Sequence, residues 1–267
     1  MSALLVLAVV EGVCAQVSVA PTAVFMSESS PFANIIVSNS SGTTQEITIQ
    51  FRFGYSVSDE EGRISMSYAM EDQSASFTEN LNAFPRSFLI EPGQRQTVRL
   101  AARGFSDKAA GTYWARANIL ASPISPGLET LSDNAVSARI NMNFEQIIPV
   151  FFKKGAVSTG LEILQESFHQ ENDQGIFLID LHRTGNSPFM GSALVQFLDS
   201  NGRQILERIY NLSAYYDIRR RFEFPLDDFQ EGSYRANITF RTQRRDVANA
   251  DLVPATPVQH VINFTVE

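Results

Sequence analysis

From Val17 onward, apolar and β-branched residues come in runs of five to nine, each closed by Gly, Pro, Asn or Ser, and no long stripe at helical spacing interrupts them. A chain patterned this way satisfies its backbone in sheets. The runs predict strands over residues 33–38, 45–53, 87–90, 96–101, 113–120, 136–152, 175–182, 192–198, 204–210, 220–224, 234–241 and 260–266. Turn signals separate them at Glu91-Pro92-Gly93-Gln94, Asp199-Ser200-Asn201-Gly202 and Glu231-Gly232. Asp199-Ser200-Asn201-Gly202 also opens like a calcium loop, but it lacks the later acidic ligands and reads as a hairpin turn.

The charged break at Lys153-Lys154-Gly155 follows the long apolar run and divides the chain. It predicts domains over residues 16–153 and 154–267, each close to the size of an immunoglobulin sandwich, about 100 residues. The expected fold class is therefore all-β, two tandem immunoglobulin-like β-sandwich domains. An internal echo supports the division: Gly111-Thr112-Tyr113-Trp114-Ala115-Arg116-Ala117-Asn118-Ile119 against Gly232-Ser233-Tyr234-Arg235-Ala236-Asn237-Ile238. A Tyr just after a Gly turn predicts a tyrosine corner in each half, the hydroxyl tying the turn to its own backbone.

With 267 residues, 44% apolar and 19% charged, the chain can fill such cores, which excludes a disordered polypeptide. A net charge of −8 disfavours a nucleic-acid partner, because phosphate binding draws on clustered Lys and Arg. The longest apolar run, Ala3 to Val10, is far below the roughly 20 residues a membrane-crossing helix needs. Followed by Val13-Cys14-Ala15, it predicts a signal peptide over residues 1–15, export with Gln16 first, and no integral membrane segment after its removal. A lipoprotein reading of Cys14 fits less well, since Glu11 stands three residues before it. Loss of Cys14 would leave no disulfide and no cysteine-based site.

The most informative stretch is residues 136–144. Val136, Ala138, Ile140, Met142 and Phe144 alternate with Ser137, Arg139, Asn141 and Asn143, which makes a long two-faced strand. Two readings stand: a last strand filling its own sandwich, or an apolar row offered to another protein. Ser122-Pro123-Ile124-Ser125-Pro126-Gly127 and residues 128–134 before it fit a long hairpin loop able to cover or release the edge.

Phe84-Pro85-Arg86-Ser87-Phe88-Leu89-Ile90-Glu91-Pro92-Gly93-Gln94-Arg95-Gln96-Thr97-Val98-Arg99-Leu100 resembles the strand-turn-strand of the PapD-like periplasmic pilus and fimbrial chaperones. Three more landmarks fall in that family's order: Val17-Ser18-Val19 through Ala23-Val24-Phe25, Asn34 to Asn39 with Ser41-Gly42, and Ile148-Pro149-Val150-Phe151-Phe152. The resemblance spans residues 17–152; beyond 155 it rests on architecture. It implies a periplasmic, non-enzymatic chaperone without cofactor. Its alternating strand, here Val136, Ala138, Ile140, Met142 and Phe144, would be lent to protein subunits with incomplete β-sandwiches, in concert with an outer-membrane usher. Such strand addition takes affinity from backbone hydrogen bonds and register from alternate side chains. Burying Ile140, Met142 and Phe144 would contribute about 1.5–3 kcal/mol each before the costs of association.

The sequence departs from that family where it grips a terminal carboxylate. The expected Arg and Lys are Thr22 and Pro149 here, and Pro149 also removes a ladder donor. The resemblance thus implies a divergent member with a different client contact. Lys153 or Lys154 is expected to close an interdomain ion pair.

Other motifs read as structural. After Lys154 the chain has ten Arg and no Lys. In Arg219-Arg220-Arg221 the middle residue should point away from its neighbours, with Glu223, Asp227 and Asp228 at hand to neutralise all three. His169, His182 and His260 are too far apart for a local metal site, and no Gly-x-Ser-x-Gly nucleophile turn occurs, so neither catalysis nor a metal is expected. The competing function class is a non-catalytic structural or adhesive surface module. A carbohydrate-binding platform would have to rest on Trp114 and Tyr215-Tyr216.

Overall fold

The computed structural model describes residues 17–68, 72–124 and 143–267. The first half contains β1 (Val17–Ala20), β2 (Val24–Ser27), β3 (Phe32–Asn39), β4 (Gln45–Arg52), β5 (Tyr55–Ser58), β6 (Ile64–Ser67), β7 (Leu81–Phe84), β8 (Ser87–Ile90), β9 (Arg95–Ala102), β10 (Gly111–Pro123) and β11 (Phe144–Lys154). They form two facing sheets, β1-β3-β9-β7 and β2-β11-β10-β4-β8, with β5 and β6 as a separate hairpin. Strands β1 and β2 lie in different sheets, so the N-terminal segment laces the two layers together.

Alternation in the sequence becomes sidedness in the sandwich. Ile35, Val37, Ile47, Ile49, Val98 and Leu100 are all wholly buried between the layers. Each such side chain contributes about 1.5–3 kcal/mol of transfer free energy. Asn39 closes the β3–β4 turn: its amide nitrogen donates to the carbonyls of Thr43 (2.8 Å) and Ile90 (3.0 Å), and its Oδ1 accepts from the N–H and hydroxyl of Ser41. The Glu91–Gln94 turn forms as expected, with Gln94 N–H donating to the Glu91 carbonyl at 3.1 Å.

The second half contains β12 (Thr159–Glu171), β13 (Gln174–Gly185), β14 (Phe189–Leu198), β15 (Gln204–Ala214), β16 (Ile218–Pro225), β17 (Gly232–Arg241) and β18 (Val258–Val266). Its sheets are β12-β13-β16 and β15-β14-β17-β18. Phenylalanines fill the space between them: Phe197 and Phe224 centroids are 4.2 Å apart, and Phe177 lies 5.2 Å from Phe224 and 5.3 Å from Phe264. Gly175 faces Phe224 across the β13–β16 pair, where an added Cβ would come within 2.3 Å of the ring. Only glycine leaves that ring room.

The fold is all-β, two immunoglobulin-like sandwiches in tandem. Residues of the first core run from Val19 to Phe152 and those of the second from Leu161 to Val266. Both tyrosine corners are present: Tyr113 donates its hydroxyl to the Ala109 carbonyl (2.9 Å), and Tyr234 donates to the Gln230 carbonyl (2.8 Å) while accepting the Gln230 N–H (2.9 Å). Asp199 organises a hairpin turn, its Oδ1 accepting the N–H groups of Asn201 and Arg203 at 2.9 Å each.

Several strands carry no sequence signal of comparable strength. β12 is a 13-residue edge strand with a bulge between Ile163 and Gln165, and its polar run Gln165-Glu166-Ser167 hides its period. β7 and the β5–β6 hairpin are four residues per strand. The strand expected over 136–152 is described from Phe144 on; residues 136–142 lie outside the described residues, as do 1–16 with the expected signal peptide and Cys14.

Candidate functional site

β11 pairs with β10 along its whole length, from Phe144 opposite Ala121 to Lys154 opposite Gly111. On its other side β2 pairs in parallel only from Val150 to Lys153. Among the described residues, no strand pairs with residues 144–149 on that side. This stretch is an open sheet edge, with backbone donors and acceptors turned outward, as strand addition requires. Pro149 ends it without an N–H to offer either neighbour.

Side chains of β11 alternate strictly. Ile148, Val150 and Phe152 are buried in the first core, and Phe144 is half-buried against the same core. Glu145, Ile147 and Phe151 take the opposite face. Of the five residues expected to form a donated row, Phe144 therefore packs on its own sandwich. Val136, Ala138, Ile140 and Met142 lie outside the described residues. Just before them, β10 ends at Pro123, and Ile124 N–H donates to the Thr44 carbonyl at 2.9 Å.

The outer face of the β11 sheet meets the second sandwich through an aromatic cluster. Phe53, Trp114, Phe151 and Tyr215 are buried there, with Phe25, Tyr55 and Tyr216 at the margin. Phe25 stacks on Phe151 with centroids 5.2 Å apart, and Trp114 lies 5.0 Å from Tyr215. Trp114 and Tyr215 are both 3% exposed, so they offer no platform for a sugar ring.

Arg116, which the register sets opposite Pro149, is buried in this cluster. Its Nε donates to the Gly54 carbonyl (3.1 Å) and its Nη2 to the Tyr215 hydroxyl (2.7 Å), and the guanidinium carbon is 5.2 Å from the Tyr215 ring. Burial pushes the Tyr215 hydroxyl well above the usual phenol range, and the Arg116 charge opposes that rise. A single Arg in an apolar strand was visible in the sequence, but its partner 99 residues away was not.

The two places where a carboxylate grip was considered hold none. Thr22 lines a cavity of about 290 Å³ whose wall also includes Asp246 and Asp251 and no basic side chain among the described residues. Pro149 stands opposite Arg116, whose guanidinium is already committed to Gly54 and Tyr215. The expected interdomain ion pair takes another form: Lys153 Nζ donates to the backbone carbonyl of Asp251 at 2.7 Å, while Lys154 Nζ donates to the carbonyls of Phe105 and Ser106 within its own half. Burial lowers the Lys153 pKa, and Asp251 partly restores it.

The β5–β6 hairpin, whose Tyr55 joins the aromatic cluster, makes further contacts with the second sandwich. Ser58 Oγ accepts the Arg219 N–H (2.8 Å), and the Glu60 carbonyl accepts from Arg219 Nη1 (3.2 Å). Gly62, at φ +73°, sits so close that an added Cβ would be 2.8 Å from the Arg221 nitrogen. Arg219-Arg220-Arg221 splits as its alternation predicts, although its counterions are mostly others than the expected ones. Arg219 makes a fork to both Asp180 oxygens (2.6 and 2.7 Å), and Arg221 pairs with Glu223 and Glu171. Arg220 turns inward over the Phe222 ring, and burial lowers its pKa. Asp227 and Asp228 take no part in these pairs because the fold brings Asp180 and Glu171 from β13 and β12 instead.

No protein-family model and no curated protein matches the chain. Its fold is similar to that of solved fimbrial chaperones. The YadV chaperone shares 9% identity over 94% of this chain and 100% of that one, with a TM-score of 0.49. The Salmonella enterica SafA pilin complex with the SafB chaperone gives 13% identity, 92% and 96% coverage and a TM-score of 0.45. The CsuC–CsuE chaperone–tip subunit pre-assembly complex of Acinetobacter baumannii gives 12%, 93% and 98%, and 0.43. Among the described residues, no helix is long and apolar enough to cross a membrane.

Proposed function

We propose that this chain is an exported chaperone that holds pilus- or fimbrial-type surface subunits lacking a strand of their own sandwich. The observation that carries the reading is the unpaired edge of β11 over residues 144–149. A client strand laid along that edge would continue the sheet with backbone hydrogen bonds. Ile140 and Met142, which precede β11 in the sequence, would fill alternate pockets of the client, while Phe144 holds the strand root on its own core. The missing basic grip at Thr22 and Pro149 leaves edge pairing and apolar register to supply the affinity.

The reading is tested by purifying the tagged chain from its native host and identifying what co-elutes, for the wild type and for the Ile140→Ser/Met142→Ser double variant. Circular dichroism checks that both are folded. A small β-rich subunit bound to wild type and lost from the folded variant supports strand donation. Survival of the partner on the variant, or no partner at all, overturns it. The half-buried Phe144 favours a second reading, in which the strand belongs to a structural module; failure of the double variant to fold would favour that one.

A further inference from the structure

A separate feature lies on the outer face of the second sandwich. The registers set Asn211 on β15, Ser192 on β14 and Arg241 on β17 in one row across three strands. The chain leaving β17 turns back over this row, with Gln243 N–H donating to the Arg241 carbonyl at 2.9 Å. Arg244 fixes the covering segment: it forks onto Asp246 (2.9 and 2.5 Å) and donates Nη1 to the Ser213 hydroxyl (3.0 Å). Between row and cover is a cavity of about 370 Å³, within the roughly 300–1,000 Å³ range of small-molecule sites.

The charge of this cavity is unbalanced. Arg244 and Asp246 cancel, leaving Arg241 and Arg245 in its wall. Neither makes a side-chain hydrogen bond or ion pair among the described residues, and the Arg241 Nε is buried without a partner. Arg219, Arg221 and Arg244 of the same sandwich each have a carboxylate within reach. Guanidinium groups that line a cavity with no acceptor in the fold leave their remaining donors for a bound anion. The neutral groups around it, the Ser192 hydroxyl and the Asn211 and Gln243 amides, can also donate.

We infer that this cavity is a binding site for a small organic oxyanion, its carboxylate or phosphate group held by Arg241 and Arg245 and its polar body by Ser192, Asn211 and Gln243. A planar guanidinium fork matches two oxygens of either group. The site stands independently of the strand-pairing reading, since none of these residues belongs to β11 or to the first sandwich.

The test titrates the full-length exported chain with glucuronate, glucose 6-phosphate, inorganic phosphate and glucose, following backbone amide shifts by NMR. The expected result is saturable shifts at Ser192, Asn211 and Gln243 with the anionic probes and none with glucose; the tighter of glucuronate and glucose 6-phosphate identifies the head group. Arg241→Ala should weaken the better probe at least tenfold and Arg245→Ala several-fold. Arg245 is exposed, so its variant decides the matter if Arg241→Ala fails to fold. No saturation by any anion at millimolar concentration overturns the site. So does equal binding of glucose, or affinity unchanged in the folded variants.

Discussion

The Tyr215 hydroxyl, in the second sandwich, accepts a 2.7 Å hydrogen bond from Arg116 Nη2 on the first, and both residues are buried. Arg116 has no ion-pair partner among the described residues, so its charge rests on the Gly54 carbonyl, this hydroxyl and the faces of nearby rings. Tyr215→Phe removes one oxygen and strands a buried donor, which costs about 1–3 kcal/mol. Urea denaturation followed by Trp114 fluorescence, at the centre of the cluster, should show that loss; an unchanged midpoint would mean water replaces the hydroxyl.

Alkaline pH acts on the same contact. Burial raises the Tyr215 pKa, and raises that of Tyr210 to about 12. A group whose folded value lies above its unfolded one, here 10.0, gives stability that is complete below the unfolded pKa and is lost as pH rises through the folded pKa. The melting temperature is therefore expected to hold to about pH 10 and fall between there and about pH 12. Tyr210→Phe should flatten part of that fall; an equal slope in the variant would sink the assignment.

The paired tyrosine corners predict matched effects. Tyr113→Phe loses one hydrogen bond and should cost about 0.5–1.5 kcal/mol. Tyr234 both donates to and accepts from Gln230, so its Phe variant should cost more. Equilibrium unfolding of the two variants gives the order directly, and a reversed order would contradict it.

At the β11 root, Phe144→Ala should destabilise the protein by about 1–3 kcal/mol, less than a wholly buried Phe would. Ile140→Ser and Met142→Ser should leave unfolding unchanged if those side chains serve a client. Thermal melts of the three single variants separate a core strand from a lent one.

Gly62→Ala combines a left-handed backbone position with a Cβ placed 2.8 Å from Arg221 N. A cost of about 1–3 kcal/mol is expected, together with release of the β5–β6 hairpin. Proteolysis at the hairpin, slow in wild type and fast in the variant, would report it.

Much of this architecture was legible in the sequence because a strand with one buried face must alternate. Ile47 and Ile49, or Ile148 and Val150, reveal their sandwich before any pairing is known. The two Tyr-after-Gly echoes were legible for a similar reason, since a corner closes within four residues. β12 was not, because an edge strand with both faces partly wet has no reason to alternate. Contacts across the boundary were also silent: Arg116 with Tyr215, and Ser58 with Arg219, join residues about 100 and 161 positions apart without any local pattern. The cavity at Arg241 shows the same limit. Its residues come from three strands and a turn, and only their registers make them neighbours.

Asn186, between β13 and β14, braces the covalent crossing between the sandwiches. Its side chain donates to the carbonyls of Ala110 and Ala156 and accepts the Ser158 N–H, while its own carbonyl receives the Thr112 N–H. The β5–β6 hairpin spans the same boundary elsewhere. Two braces set apart in this way turn a linker into a strut. The bearing of one sandwich on the other is then a fixed dimension of the molecule, and a partner broad enough to touch both must match that angle.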